Sequence, residues 1–472
     1  MAALREESGH RAVPGSVAGV RLPAHRLPPQ RVGETLDSAR PRFPISGHGN
    51  FVAPGFEEVR DEFEANFAER GEIGAAVAAY WRGEKVVDLW GGRRTVSGQA
   101  PWNEDTMVVV NSTTKGLAAM TVAVANSRGW IDYDARVADY WPAFAQNGKA
   151  AITVRQLLSH EAGLVWIDES LRFEDLRDLD YVAGVLARQK PAWPPGTRHG
   201  YHAMTVGLYM QELIRRADPD HRTLGRFFRD EIAEPLGIEF YIGLPREIPD
   251  ERLAELRLFT PMRAIRALRS VPSGYVLRIL WPWSLLHKSM LFADFNPNDR
   301  GSLDIEIPAG NGVGTARAVA RAYSAFAEGG AELGVTAATL ESLTAAHNVE
   351  PSKDAVMGVP SWLSLGFLKP GPELGFGTSQ KAFGTPGAGG SFGFADPDTR
   401  LGFAYVMNNW TSTCSTTRAR KHCATPCTAQ SGGSRAEPGR GAGEWARTGS
   451  LDTPEGQVNA TAVYYRGRAL RS

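Results

Sequence analysis

TMVVVNSTTKGLAAMTVAVANSRGWIDYDARVADYWPAF, residues Thr106–Phe144, joins a short β-branched run to a long small-residue segment, with Ser112 and Lys115 at the junction. Ala, Leu and Met dominate 112–128, which favours a helix, and Gly129 is placed to end it. In a helix, three residues of separation put Ser112 and Lys115 on one face, about one turn apart. A serine hydroxyl is inert until a base removes its proton. Lysine can be that base only where burial or a nearby cation lowers its pKa toward neutrality. A serine at a helix N-terminus also has unpaired backbone N–H groups and the positive dipole end beside it, which favour an oxyanion on a bound acyl group. Taken alone, the Ser112-Thr113-Thr114-Lys115 pattern is weak and reads first as a capped helix carrying a solvated lysine.

Outward from this segment, residues 56–70 (FEEVRDEFEANFAER) space Phe56, Val59, Phe63 and Phe67 three and four apart. That is an amphipathic helix closed by Gly71. GAAVAAYWRGEKVVDLWGG, residues 74–92, predicts two strands about a turn at 82–85. Helices are expected at 153–159, 174–189, 204–216, 222–234, 316–328 and 336–346. Strands return at 382–383, 391–395 and 401–407, with Pro397-Asp398-Thr399-Arg400 as the last turn. Strands at both ends with helices between predict an α/β (α+β) class. The expected architecture is an antiparallel sheet, about 46–105 and 380–410, flanked by helices, with an all-helical subdomain inserted at about 106–379.

The chain has 472 residues with 52 basic and 52 acidic side chains, so its formal net charge is zero. That balance argues against a dedicated nucleic-acid binder, which needs surplus positive charge. Neutrality is a sum of unlike parts: residues 1–45 carry +3, 46–410 carry −8 and 411–472 carry +5. The first 45 residues, rich in Arg, Pro and Gly, read as a disordered extension or as sequence upstream of the true start. Residues 411–472 lose all periodicity and read as a disordered tail, and the abrupt change after Trp410 is what a reading-frame shift produces. Cys414, Cys423 and Cys427 all lie in that tail, so the body has no disulfide framework; the tail cysteines with His422 lack the second ligand pair of a zinc site. No run of about 18 apolar residues predicts a spanning helix, and MAALREESGH shows no secretory h-region. The expectation is a cytoplasmic protein.

Four further stretches stand in fixed order after the first: ITVRQLLSHEAGL (152–164), PPGTRHGYHAMTVGLYMQELI (194–214), IPAGNGVGTARAVARAYSAFA (307–327) and FGTPGAGGSFGFADPDTRLGFAYVMN (383–408). Together with the Ser112–Lys115 segment, the chain over 46–410 resembles the serine β-lactamase-like superfamily. It is most similar there to family VIII carboxylesterases, actinobacterial-type esterases and other class C β-lactamase-related hydrolases. The resemblance implies a β-lactamase/penicillin-binding-protein-like fold, with Ser112 as acylated nucleophile, Lys115 as its partner lysine and Tyr201 as the phenol that relays a proton to the leaving group. Ala203 stands where β-lactamases of this class carry Asn. In the third motif, relatives carry Lys-Thr-Gly, His-x-Gly or Trp-Gly-Gly; here it is Thr385-Pro386-Gly387. The missing cation counts against substrates whose carboxylate needs a positive partner and harms simple esters less. Ala388 N–H is the candidate second oxyanion donor, with Thr385, Gly387 and His202 as substrate-side candidates. No metal or organic cofactor is implied; the expected partner is a small ester, with no nucleic acid and no transmembrane segment.

Rival readings accompany each of these. Gly389-Gly390-Ser391-Phe392-Gly393 satisfies G-x-S-x-G, but a nucleophile elbow needs a helix after the serine, and a strand-like SFGFA follows. His160, His199 and His202 read as structural histidines. The sequons at Asn111, Asn409 and Asn459 read as chance matches. Residues 274–292 (GYVLRILWPWSLLHKSMLF) read as a core helix pair, or as a flap over the acyl pocket or a lipid-touching surface. Besides ester hydrolysis, the same fold admits β-lactam or D-amino-acid peptide hydrolysis, or a catalytically impaired binding protein whose sheet has lost a covering C-terminal helix.

Overall fold

The hairpin predicted near the N-terminus is the point from which the sheet grows. The structure, a computed structural model, describes residues 50–258, 278, 281, 283–290, 295–345, 353–371 and 374–409. The head to residue 45, the tail with Cys414, His422, Cys423 and Cys427, the Asn459 sequon and most of 259–294 lie outside the described residues. So does the unit formed by residues 1–41.

Strand β1 (Phe51–Val52) precedes helix α1 (Glu57–Glu69). The apolar stripe of α1 is buried at Val59 and Phe63, and Gly71 follows at φ +74. β2 (Gly74–Trp81) and β3 (Glu84–Gly92) are joined by only two residues, Arg82 and Gly83, both at positive φ. That conformation matches the twist of a hairpin, so the turn is tighter than the four residues expected. Two-residue strands β4 (Val108–Val109), β5 (Phe240–Tyr241) and β6 (Val313–Gly314) form a separate small sheet in the order β4-β6-β5. β7 (Leu363–Ser364), β8 (Phe367–Leu368), β9 (Phe383–Pro386), β10 (Phe392–Asp396) and β11 (Leu401–Met407) complete the main antiparallel sheet, ordered β1-β3-β2-β11-β10-β9-β8-β7.

An early and a late strand of the described residues meet at the sheet centre, where β11 pairs with β2 from Leu401↔Trp81 to Met407↔Ala75. Every residue of β11 is buried, because both faces are covered. Its unbroken apolar run LGFAYVM is therefore a two-sided strand rather than an alternating one.

Between the hairpin and β7 run α2 (Thr114–Ser127), α3 (Val154–Leu158), α4 (Leu179–Arg188), α5 (Thr205–Ala217), α6 (Leu224–Phe228), α7 (Leu285–Ser289), α8 (Ala316–Ala327) and α9 (Ala337–Thr344). The helix expected over 174–189 is divided at Asp178, whose carboxylate accepts the Tyr181 N–H at 3.0 Å and caps α4. A side chain that bonds its own backbone this way stops a helix as readily as it starts one.

The sheet layer takes in more of the chain than 46–105 and 380–410. α8 lies on the main sheet: a Cβ at Gly402 would stand 2.5 Å from Ala320 O and 2.3 Å from Ser324 N, so the helix backbone rests on β11 itself. β7 and β8 extend the sheet edge. Two-residue strands carry too little periodicity to be read from sequence.

The other face holds α1 and an aromatic cluster. Phe392, Phe394 and Phe403 are fully buried there, and Phe376 lies 5.1 Å from Phe392 and 5.4 Å from Phe394 between ring centroids. Phe56, Phe63 and Phe376 belong to the same buried cluster; the tail expected to have lost a covering helix lies outside the described residues. Among the described residues no helix is long and apolar enough to cross a membrane.

Candidate active site

Val110, the residue after β4, donates its N–H to Gly312 O at 2.9 Å, which anchors the approach to Ser112 on the small sheet. Asn111 then adopts φ +49, a left-handed conformation that asparagine tolerates better than most residues. A single 3₁₀ turn, Asn111–Thr113, follows and α2 begins. Thr114 Oγ1 donates to Asn111 O at 2.6 Å and accepts from Gly312 N–H at 2.9 Å, locking the turn to β6. α2 is buried from Thr114 through Ala125, so the bland reading of Lys115 as a solvated cation does not hold. Lys115 is 1% exposed. Its Nζ lies 3.0 Å from Ser112 Oγ and donates to Ala309 O at 2.6 Å. No carboxylate pairs with it among the described ion pairs. Burial alone lowers its pKa to about 7, since desolvation penalises the ammonium and nothing anionic compensates.

Tyr201 reaches the same place from a different part of the chain. Lys115 Nζ stands over its ring, 5.0 Å from the centroid. The LLSHEAGL and GYHA motifs are one structure. His160, at φ +63, turns the chain after α3, and its carbonyl accepts the Gly200 N–H at 3.0 Å. Its Nδ1 accepts the His202 N–H at 3.0 Å.

His202 is fully buried. Its Nε2 accepts from Leu164 N–H at 2.9 Å, so Nδ1 carries the hydrogen and donates to Gly200 O at 2.7 Å. Burial lowers its pKa to about 3. His202 was a substrate-side candidate; with both ring nitrogens spent on backbone, it holds Tyr201 in place instead. His160 is likewise driven well below its ordinary value by burial, and His199 Nε2 lies 3.0 Å from Ser361 Oγ.

The third motif approaches from β9. Thr385 is 3% exposed, and Tyr323 Oη donates to its Oγ1 at 3.4 Å. A Cβ at Gly116 would stand 2.8 Å from the same Oγ1. Strand alternation thus turns Thr385 toward α2 and α8, and it serves there as packing rather than as a substrate ligand. The loop after β9 does reach the serine: Asn111 Nδ2 donates to Ala388 O at 2.8 Å, which sets Ala388 beside the residue preceding Ser112. Gly387 N–H donates to Ser391 O at 2.8 Å, and Gly390 N–H to Gly387 O at 3.1 Å, closing the loop. Ser391, the rival nucleophile, is 1% exposed and donates to Val110 O at 2.6 Å, with Thr113 Oγ1 at 3.1 Å. A strand follows it, not a helix. Ser391 ties the loop to the Ser112 turn. Asn111 and Asn409 are also engaged, the latter donating to Gly71 O at 2.6 Å.

Sequence reasoning missed Ala309, Asn111 as a side-chain contact, and Asp354. Ala309 acts through its carbonyl, which carries no sequence signal. Asp354 is 2% exposed. Its carboxylate accepts from the amides of Tyr201 (2.9 Å), Val356 (2.8 Å) and Met357 (2.7 Å), while burial raises its pKa. An amide in its place offers one acceptor oxygen and turns an NH₂ toward backbone donors. Asp354→Asn is therefore expected to cost about 1–3 kcal/mol of stability, read by denaturant titration, and to lower kcat more than it raises KM because Tyr201 loses its anchor.

The Beta-lactamase family profile matches residues 59–422. "Esterase/beta-lactamase LipL" of Mycobacterium tuberculosis (strain ATCC 25618 / H37Rv) is 37% identical over 380 residues, covering 77% of this chain and 84% of that protein. A crystal structure described as a family VIII carboxylesterase shares 37% identity at TM-score 0.69, covering 79% of this chain and 98% of its own. EstA from Arthrobacter nitroguajacolicus Rue61a shares 33% identity at TM-score 0.69, covering 80% and 99%.

Proposed function

The chain belongs to the Beta-lactamase family, and on that premise we propose that it is a serine hydrolase cleaving carboxylic esters through an acyl-enzyme formed on Ser112. The observation that carries this reading is a buried lysine, shifted to about 7, with its Nζ 3.0 Å from the serine hydroxyl.

Ser112 Oγ attacks the ester carbonyl as its proton passes to neutral Lys115. The N–H groups of Ser112 and Ala388 receive the oxyanion, each such donor contributing roughly 3 kcal/mol in comparable sites. The proton then passes by way of Lys115 and Tyr201 to the departing alkoxide. Water repeats the sequence on the acyl-enzyme and releases the acid. Thr385, where relatives have a cation, packs against Tyr323. The wall around Tyr201 is apolar, with Val165, Trp193, Leu286 and Val356 buried in one cluster. Both features favour neutral esters over substrates bearing a carboxylate.

A fluorophosphonate probe tests the assignment. The adduct is expected on the Ser112 peptide and is lost in Ser112→Ala, and p-nitrophenyl ester turnover is expected to exceed nitrocefin turnover. Labelling that survives Ser112→Ala and vanishes in Ser391→Ala sinks the site. Nitrocefin turnover equal to or above ester turnover moves the substrate class to β-lactams.

A further inference from the structure

Among the described residues, the three most exposed large apolar side chains are Trp283 (70%), Met290 (62%) and Trp281 (59%), all within ten residues of one another. Tryptophan is normally among the more buried side chains, and clustered exposure marks an interaction surface. The two indoles lie 5.6 Å apart and precede α7. That helix is short and two-sided. Leu286 is buried in the cluster that also contains Tyr201, Trp193 and Val356, so its inner side is fastened to the wall of the Ser112 site. The Ser284 hydroxyl caps α7 at the His287 N–H, 3.0 Å away, and also reaches Arg278 O. The aromatic side chains are therefore held outward by a fixed inner contact.

The sequence that carries them is one-sided in charge. Arg278, His287 and Lys288 accompany the patch, and the sequence from 256 to 293 has six Arg or Lys and no Asp or Glu. The rest of 46–410 is strongly acidic. Lys288 Nζ stands 4.9 Å over the ring of Trp166. The acids on that neighbouring loop are engaged: Asp168 accepts from Trp166 Nε1 at 2.8 Å and Gln189 Nε2 at 2.9 Å, and Glu169 pairs with Arg188 at 2.7 Å. Exposed tryptophans with adjacent cations, and with the neighbouring acids already paired, are what an anionic lipid interface selects. The indoles settle at the headgroup level, and the cations are attracted to its negative surface potential.

We propose that Trp281, Trp283 and Met290, with Arg278 and Lys288, form a docking surface for anionic lipid beside the Ser112 site. The docked enzyme takes its ester from the lipid phase across the wall at Leu286 and Tyr201. Docking stands independently of the hydrolase reading; delivery of a lipid-borne ester rests on it.

The test is co-sedimentation of the full chain with vesicles of phosphatidylcholine alone or mixed with phosphatidylglycerol. Binding is expected to the mixed vesicles, to weaken with salt, and to fall about tenfold or more in Trp281→Ser/Trp283→Ser and in Lys288→Glu. Both basic flanks remain in those variants, so the loss reports the patch. Ser112→Ala is expected to bind as the native chain does, and Trp281→Ser/Trp283→Ser to keep native turnover of a water-soluble p-nitrophenyl ester. Absent binding, binding indifferent to the tryptophans, or a concentration-dependent dimer that the tryptophan changes dissolve would each overturn the proposal. Vesicle binding by a chain that hydrolyses no ester leaves docking standing and removes only the delivery step.

Discussion

Replacing Lys115 by methionine is expected to lower kcat for a p-nitrophenyl ester by about 10²–10⁴-fold with a cooperative unfolding transition retained. Methionine keeps the unbranched stem in a site that is 1% exposed and removes the basic group that lies 3.0 Å from the Ser112 hydroxyl. What it leaves behind is Ala309 O without its 2.6 Å donor, a loss of about 1–3 kcal/mol that a large core absorbs. Because nucleophile and base act as a unit, Ser112→Ala/Lys115→Met is expected to be no slower than Ser112→Ala alone.

The native enzyme supplies the companion measurement. A base with pKa about 7 is protonated and idle below that value and free above it, so kcat/KM rises with pH through about 7. Glu161, which burial raises to about 7, is the group to separate from it, and Glu161→Gln is expected to leave the limb unmoved. A Lys115→Met enzyme that keeps native turnover and the same limb ends the argument for lysine as base.

Gly387→Ala is expected to damage stability and turnover together. A Cβ there would stand 2.1 Å from Ser391 Oγ and 2.2 Å from Val110 O. One of these atoms belongs to the backbone two residues before the nucleophile, so rotamer changes cannot relieve the clash. Either the loop carrying Ala388 lifts away or the turn carrying Ser112 is displaced. Overpacking of this kind costs about 1–3 kcal/mol, and a displacement of an ångström at the reacting group costs on the order of 10²-fold in rate. Gly375, with nothing within 4 Å of its Cβ position, is the control: Gly375→Ala is expected to melt and turn over as the native chain does. Native behaviour in Gly387→Ala would mean that the loop is not seated on Val110.

The long periodic elements were legible in the sequence: α1 from its phenylalanine stripe, β2 and β3 from their β-branched and aromatic runs, and α2 from its alanines and terminal glycine. The two-residue strands were not, because four of them are held by partners far away in sequence rather than by local pattern. α8 was read as a helix, but not as the cover of the main sheet. Its place follows from the contact of Gly402 with Ala320 and Ser324, which sequence spacing does not encode. Thr385 and His202 were singled out by their neighbours in motifs. The structure assigns both to support, since the pleat of β9 points one inward and the other spends both ring nitrogens on backbone.

By itself, the sequence determined that Ser112 and Lys115 share a helical face one turn apart, since helix geometry converts a spacing of three into proximity without help from the rest of the chain. Only the tertiary structure decided that the lysine is buried and shifted to about 7, the condition a base requires. Its pKa falls because α2 is buried on every side, and because the one strong partner it finds, Ala309 O, is a neutral carbonyl 194 residues away. Desolvation belongs to the packed molecule and to no stretch of it. The same holds for Tyr201, which reaches Lys115 because Asp354 accepts its N–H and His160 accepts those of Gly200 and His202 on either side, hydrogen bonds from two distant segments that no local pattern announces.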